Sequence, residues 1–192
     1  MKIGIIDCGG ANLNSIYYSF KRINIKAFIS NSLSELKKMD AFILPGVGSA
    51  GIVMNKLKEN NLINLIQETT KPTLGICIGM QILFDYSQED NTDWLGIIKG
   101  SVKKIKPNKE IKVPQMGWNR VITSIDDISG YYYFANSYYT DNDEHAIGHS
   151  YYGKKFNSIV KKDNFFGCQF HPEKSSDIGE KFIKNFINQI WE

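Results

Sequence analysis

The sequence predicts an α/β fold: a central, mostly parallel β-sheet flanked by helices, with β-rich additions in the second half of the chain. Two observations predict it. Up to Tyr86, short apolar runs of strand length alternate with segments of helical periodicity, the pattern of parallel strands joined by crossover helices. After Trp94 the texture changes to short strands set off by turn residues. The 192 residues are 42% hydrophobic and 22% charged, ordinary for a globular protein, and show no repeat, linker or low-complexity tract. A single domain over residues 1–192 is therefore expected.

Residues 2–6 form the first short apolar run and read as a buried strand. Asp7-Cys8-Gly9-Gly10 breaks it, and a helical pattern follows over 11–23, with Leu13, Ile16, Tyr17 and Phe20 on one side. Residues 27–30 predict a second strand, 33–38 a brief helix, and 41–44 a third strand that Pro45-Gly46-Val47-Gly48 ends. Helical patterns cover 53–58 and 62–68; 72–76 is a fourth strand and 78–86 a helix. Strands are expected at 101–105, 117–122, 131–134, 146–152, 158–161 and 165–170. The last stretch, 178–191, is a helix with Phe182, Ile183, Phe186 and Ile190 on one face.

Composition excludes several classes. The net charge of +3, from 23 basic and 20 acidic residues, is too slight to imply a nucleic-acid partner. The lysines at 99, 103, 104, 106, 109 and 112 read first as a solvated surface and second as a dock for an acidic partner. Three widely spaced cysteines, Cys8, Cys77 and Cys168, with no CxxC pair, argue against a disulfide scaffold or zinc knuckle. The start MKIGIIDCGG breaks at Asp7 and lacks a small-residue cleavage site, unlike a signal peptide. No run of roughly 18 apolar residues exists to span a membrane. A reduced, cytoplasmic protein is expected, with no membrane association, metal or cofactor.

Gly75-Ile76-Cys77-Ile78-Gly79 has the G-x-nucleophile-x-G spacing of a nucleophile elbow. Glycines two residues to either side let neighbouring backbone pass closely, so one side chain projects between strand and helix. The N–H groups of the following helix then favour a thiolate and an oxyanion. Cysteine is also among the most buried residue types, and spacing alone leaves both readings of Cys77 open. His171 supplies the base that a nucleophile needs. It closes an apolar run, Pro172 stops the strand after it, and Glu173 can fix its tautomer. His145 and His149 have the spacing of a helical metal pair, but Gly148 and strand-like surroundings argue against one. Pro45-Gly46-Val47-Gly48 offers backbone N–H groups at another strand end; donors aimed at a developing oxyanion are worth about 3 kcal/mol each. Alone, that tetrapeptide would read as an ordinary turn.

In this order, PGVG, GICIGMQ and QFHPEKS resemble the class I (triad) glutamine amidotransferases. The likeness is closest to their branch of imidazole glycerol phosphate synthase glutaminase subunits. Residues 7–15, 94–96, 114–119 and 162–167 are similar to that branch too, so the resemblance spans the chain. It implies the flavodoxin-like class I glutamine amidotransferase fold and a Cys77–His171–Glu173 triad. Cys77 would attack the side-chain amide of L-glutamine and form a thioester. His171 would move the protons, and Glu173 would orient it. The backbone of Gly46, Val47 and Gly48 and the N–H of Ile78 would form the oxyanion hole. Gln81 would help hold the substrate, Glu89 would bind its α-amino group, and Ser137 and Tyr138 its α-carboxylate.

The resemblance leaves no part of the chain to use the ammonia, which implies transfer to a second polypeptide. In the resembled branch that partner is a (β/α)8-barrel cyclase, forming a heterodimer that makes imidazole glycerol phosphate and an aminoimidazole carboxamide ribotide for histidine biosynthesis. Asn12, Asn14, Met116 and Trp118 would lie near the docking face. Relatives commonly carry His-Ser-Tyr where this chain has Asn136-Ser137-Tyr138. That departure keeps an alternative open: a paralogous glutaminase subunit supplying ammonia to a surface-sugar amidotransferase. Two further rivals are a free-standing cysteine hydrolase, against which PGVG, HPE and Gln81 weigh, and a catalytically dead binding subunit.

Overall fold

A strand covered by helices on both faces must be apolar throughout, and β1 (Lys2–Ile6) is buried at every position after Lys2. The computed structural model describes residues 1–9, 12–46, 48–89, 94–125 and 127–188. After β1 come α1 (Leu13–Arg22), β2 (Lys26–Ser30), the single turn α2 (Leu33–Leu36), β3 (Ala41–Leu44), α3 (Ala50–Glu59), α4 (Ile63–Glu68), β4 (Thr73–Ile76) and another single turn, α5 (Ile78–Gln81). The β-rich half holds β5 (Phe84–Ser87), β6 (Ile98–Lys104), β7 (Gln115–Thr123), β8 (Gly130–Asn136), β9 (Tyr138–Tyr139), β10 (Ala146–Tyr151), β11 (Lys155–Lys162) and β12 (Phe165–Cys168). A 3-10 turn at Pro172–Lys174 leads into α6 (Ser176–Asn188).

Nine strands form one sheet in the order β2-β1-β3-β4-β12-β11-β10-β7-β8. The five from β2 to β12 are parallel, and β11, β10, β7 and β8 continue the sheet antiparallel. The parallel part has the flavodoxin-like order, with the fifth place filled by β12 from late in the chain. In such sheets ligands collect beyond the carboxyl ends of the strands. The segments that follow β1, β3, β4 and β12 therefore meet at one edge, although they start near residues 7, 45, 77 and 169. A smaller sheet, β5-β6-β9, lies beside them.

The helices bury the faces their periodicity predicts: Ile16 and Phe20 in α1, and Phe182, Ile183 and Phe186 in α6. Phe170, just before His171, packs on Tyr132 at 4.0 Å and on Phe182 at 5.0 Å between ring centroids. Each aromatic pair adds about 0.5–1.5 kcal/mol beyond its buried area, so the backbone that carries His171 is firmly seated.

Some expectations need correction. The helix expected over 78–86 is one turn long; Phe84–Ser87 is a strand that pairs with β6. Ile82, Leu83 and Phe84 are all fully buried, and a continuous apolar run cannot separate helix from strand. β9 was not expected, being only two residues long. The strand expected over 165–170 ends at Cys168. Helix α6 starts two residues earlier than expected, and Ile190 lies outside the described residues.

Candidate active site

Cys77 sits between β4 and α5 at φ +55°, ψ −108°. A side chain at positive φ is strained and persists only where the surroundings hold it. Here the glycines hold it. A Cβ on Gly79 would lie 1.7 Å from the Leu44 carbonyl oxygen, and one on Gly75 2.4 Å from the Gly79 carbonyl oxygen. One on Gly46 would lie 2.3 Å from Cβ of Ile78. The end of β3, the turn α5 and the end of β4 thus touch backbone to backbone. The Cys77 N–H is tied across the sheet to the Cys168 carbonyl at 2.8 Å.

The other two thiols are structural by comparison. Cys8 is buried and its Sγ points to the Ile6 carbonyl at 3.6 Å; burial, then the charge of Asp7, pushes its thiol up to about 12. Burial likewise raises Cys168, which is directed at the Phe170 carbonyl at 3.5 Å.

His171 follows β12 with extended backbone. Its Nδ1 lies 2.9 Å from Glu173 Oε1, and its ring also bonds to Cys77. Burial alone would lower this imidazole. The hydrogen bonds and negative charges of Cys77 and Glu173 outweigh burial and raise it to about 10. The arrangement favours the protonated imidazolium at His171, with a proton ready for a leaving amine. Glu173 Oε1 also accepts from Asn12 Nδ2, which reaches the triad from the N-terminal end of α1.

Cys77 and His171 open onto a cleft of about 240 Å³ shared with Gly46, Gly48, Ile78, Gln81, Glu89, Ser137 and Tyr138. Nine of the expected residues therefore meet in one cavity. Gly48 has φ +90°, which glycine alone adopts freely. Ile78 opens α5, where first-turn N–H groups have no acceptor within the helix. Glu89 Oε2 accepts the Ala50 N–H at 3.0 Å, at the start of α3, so the carboxylate is fixed at the cleft wall. Among the described residues the cleft is lined by one acidic side chain, Glu89, and by backbone at Gly46, Gly48 and Ile78, chemistry that suits a small zwitterion.

Val47 lies outside the described residues. Asn12, expected at the docking face, touches Glu173. Asn14 is exposed. Met116 and Trp118 are 68% and 53% exposed on the outward face of β7. Trp118 meets Tyr133 edge-on at 6.4 Å, and Lys174 lies 5.9 Å from the Tyr133 ring while also lining the cleft. His145 and His149 sit 3.8 Å from Glu144 and Asp143 respectively. Among the described residues no group of three or more His, Cys, Asp or Glu is placed to hold a metal. No described helix is long and apolar enough to cross a membrane.

Sequence reasoning assigned no role to Lys174, Asn136 or Gln169. Lys174 was visible only as part of HPEKS. Asn136 is buried, and its Nδ2 donates to the Tyr138 carbonyl at 2.9 Å. Gln169 is fully buried beside Cys77.

Comparison with known proteins agrees with this geometry. The family model described as glutamine amidotransferase class-I matches residues 4–190. A Campylobacter jejuni protein named imidazole glycerol phosphate synthase subunit HisH 2 is 45% identical over 194 residues, covering 99% of this chain and 100% of its own. The Haemophilus influenzae protein named imidazole glycerol phosphate synthase subunit HisH is 41% identical over 197 residues, covering 99% and 98%. A solved structure described as a glutamine amidotransferase superposes with a TM-score of 0.80 over 99% of both chains at 16% identity, which speaks to the fold.

Proposed function

Because this chain belongs to the class-I glutamine amidotransferase family, we propose that it is the glutaminase subunit of imidazole glycerol phosphate synthase, acting as one glutaminase domain. It hydrolyses L-glutamine to L-glutamate and ammonia. The observation that carries the reading is the meeting of Cys77, His171, Glu89, Ser137 and Tyr138 around one cleft. Cys77 Sγ attacks the side-chain amide carbon, and the oxyanion is held by the backbone around Gly46 and Gly48 and by Ile78 N–H. His171 gives its proton to the departing ammonia. It then takes a proton from the water that cleaves the thioester and returns it to the sulfur. Glu173 keeps the ring oriented throughout.

The ammonia passes to a cyclase subunit, which the family resemblance makes a (β/α)8-barrel. An exposed apolar face supports a partner here: Met116, Trp118 and Ile122 project from β7, with Tyr131 on neighbouring β8. Contiguous exposed apolar groups mark interaction sites. Trp118 is expected to anchor it. Trp118→Ala should raise the Kd of the complex roughly 30-fold, about 2 kcal/mol, in titration calorimetry. Its melting temperature should hardly change, since the ring is half exposed. An unaltered Kd would move the interface elsewhere.

The function is tested with amide-¹⁵N glutamine and the purified pair of subunits. Label should appear in the imidazole product only when both chains are present. If the pair hydrolyses glutamine but labels a sugar acceptor instead, the surface-sugar alternative suggested by Asn136 takes its place.

A further inference from the structure

We infer that Gln169 is a positioning residue for the nucleophile, fixing the Cys77 sulfur through an N–H donor whose direction is set by a relay starting at the Tyr138 carbonyl. The inference rests on Cys77 being the nucleophile of the proposed reaction. Gln169 follows β12, is fully buried, and its backbone N–H is held by the Ser158 carbonyl at 2.9 Å. Its Nε2 lies 3.7 Å from Cys77 Sγ, and its Oε1 accepts from Gln81 Nε2 at 2.8 Å. Gln81 Nε2 also donates to the Tyr138 carbonyl at 3.2 Å.

An amide's nitrogen and oxygen are told apart by their partners. A carbonyl oxygen only accepts, so the Gln81 atom facing Tyr138 is its nitrogen. That nitrogen only donates, so the Gln169 atom it meets is oxygen. The Gln169 atom at the sulfur is therefore the NH₂ group. Asn136 Nδ2 donates to the same Tyr138 carbonyl at 2.9 Å, fastening the start of the relay. Gln169 and His171, both on the segment that follows β12, each bond to the Cys77 side chain.

The two protonation states of Cys77 use different partners. A thiol can donate to the Ala135 carbonyl, 3.9 Å away. A thiolate can only accept, and the Gln169 amide is a donor that stabilises it. The other ionisable groups around the sulfur are His171 with Glu173 behind it, Glu89 and Lys174 along the cleft, and Cys168 beneath. All of them are kept in the variants below.

The test follows iodoacetamide alkylation of the Cys77 peptide by mass spectrometry as a function of pH, in the full chain without glutamine. Gln169→Leu should move the midpoint up by about one pH unit, a roughly 10-fold slower alkylation on the acid side. Gln169→Glu should move it further, since a carboxylate repels the thiolate. Gln81→Leu should raise it as well, because the Gln169 amide is then free to turn, and should add nothing in the Gln169→Leu background. If Gln169→Leu does not fold, Gln81→Leu carries the same comparison. A midpoint equal to that of the parent chain in the folded variants overturns the inference, as does an additive double variant. Alkylation does not depend on glutamine turnover. A shifted midpoint in a chain that fails to hydrolyse glutamine even with the cyclase subunit present would reject the proposed function alone.

Discussion

Replacing Cys77 by alanine should lower glutamine-dependent product formation by the subunit pair at least ~10⁴-fold, while ammonia supplied directly still supports synthesis. Among the described residues Cys77 is the only cysteine that lines the cleft, and it lies beside a protonated imidazole, so no other described group takes over its step. Ammonia given directly bypasses glutamine hydrolysis, so the later step is expected to proceed without it. Retained glutamine-dependent synthesis would remove Cys77 from the mechanism and favour a subunit that only binds. The same variant carries a pH readout. His171 is raised to about 10 against the opposing effect of burial, by Cys77 and Glu173 together. With Cys77 gone, the His171 titration followed by NMR should fall. The sign for stability follows from linkage. A histidine raised in the folded state contributes stability that is complete below its unfolded pKa, near 6.5, and is lost as pH rises through about 10. Cys77→Ala should therefore show a smaller loss of stability than the parent chain across that window.

Legibility in the sequence tracked how local the physics was. The elbow was readable because its cause lies within five residues: a projecting side chain needs small neighbours at fixed offsets. His171 was readable because Pro172 and Glu173 mark a strand end and an orienting group beside it. The parallel core was readable from alternating periodicities, but not its strand order, since β12 enters between β4 and β11 from the far end of the chain. Contacts that depend on that threading were hidden. Asn12 meets Glu173 across 161 residues, and Gln81 meets Gln169 across 88; neither pair has a spacing to recognise. The short α5 failed for another reason. Its apolar continuation is buried all round, so no polar face was left to show the period.

Gly79→Ala should have the largest effect on stability of any single methyl added near the site: at least about 3 kcal/mol, or ~6–12 °C in melting temperature for a chain of this size. The added carbon would sit 1.7 Å from the Leu44 carbonyl oxygen and 2.7 Å from its carbon. These are backbone atoms at the end of β3, which is paired to β1 on one side and β4 on the other. No rotamer change relieves the contact. The loop after β3 must move off α5, or α5 must tilt and take Cys77 with it. Either motion separates the candidate oxyanion donors at Gly46 from the sulfur. Displacements of about 1 Å in such sites cost on the order of 10²-fold in rate, so glutamine turnover should fall even below the melting transition. Gly9→Ala is the control. Gly9 has positive φ, +72°, which Gly79 does not, and its nearest new contact is the flexible Lys56 side chain at 3.5 Å. That variant should lose only the cost of the backbone conformation, about 1 kcal/mol. If Gly79→Ala melts with Gly9→Ala and turns over glutamine like the parent chain, backbone contact at the elbow is not what holds Cys77 at positive φ.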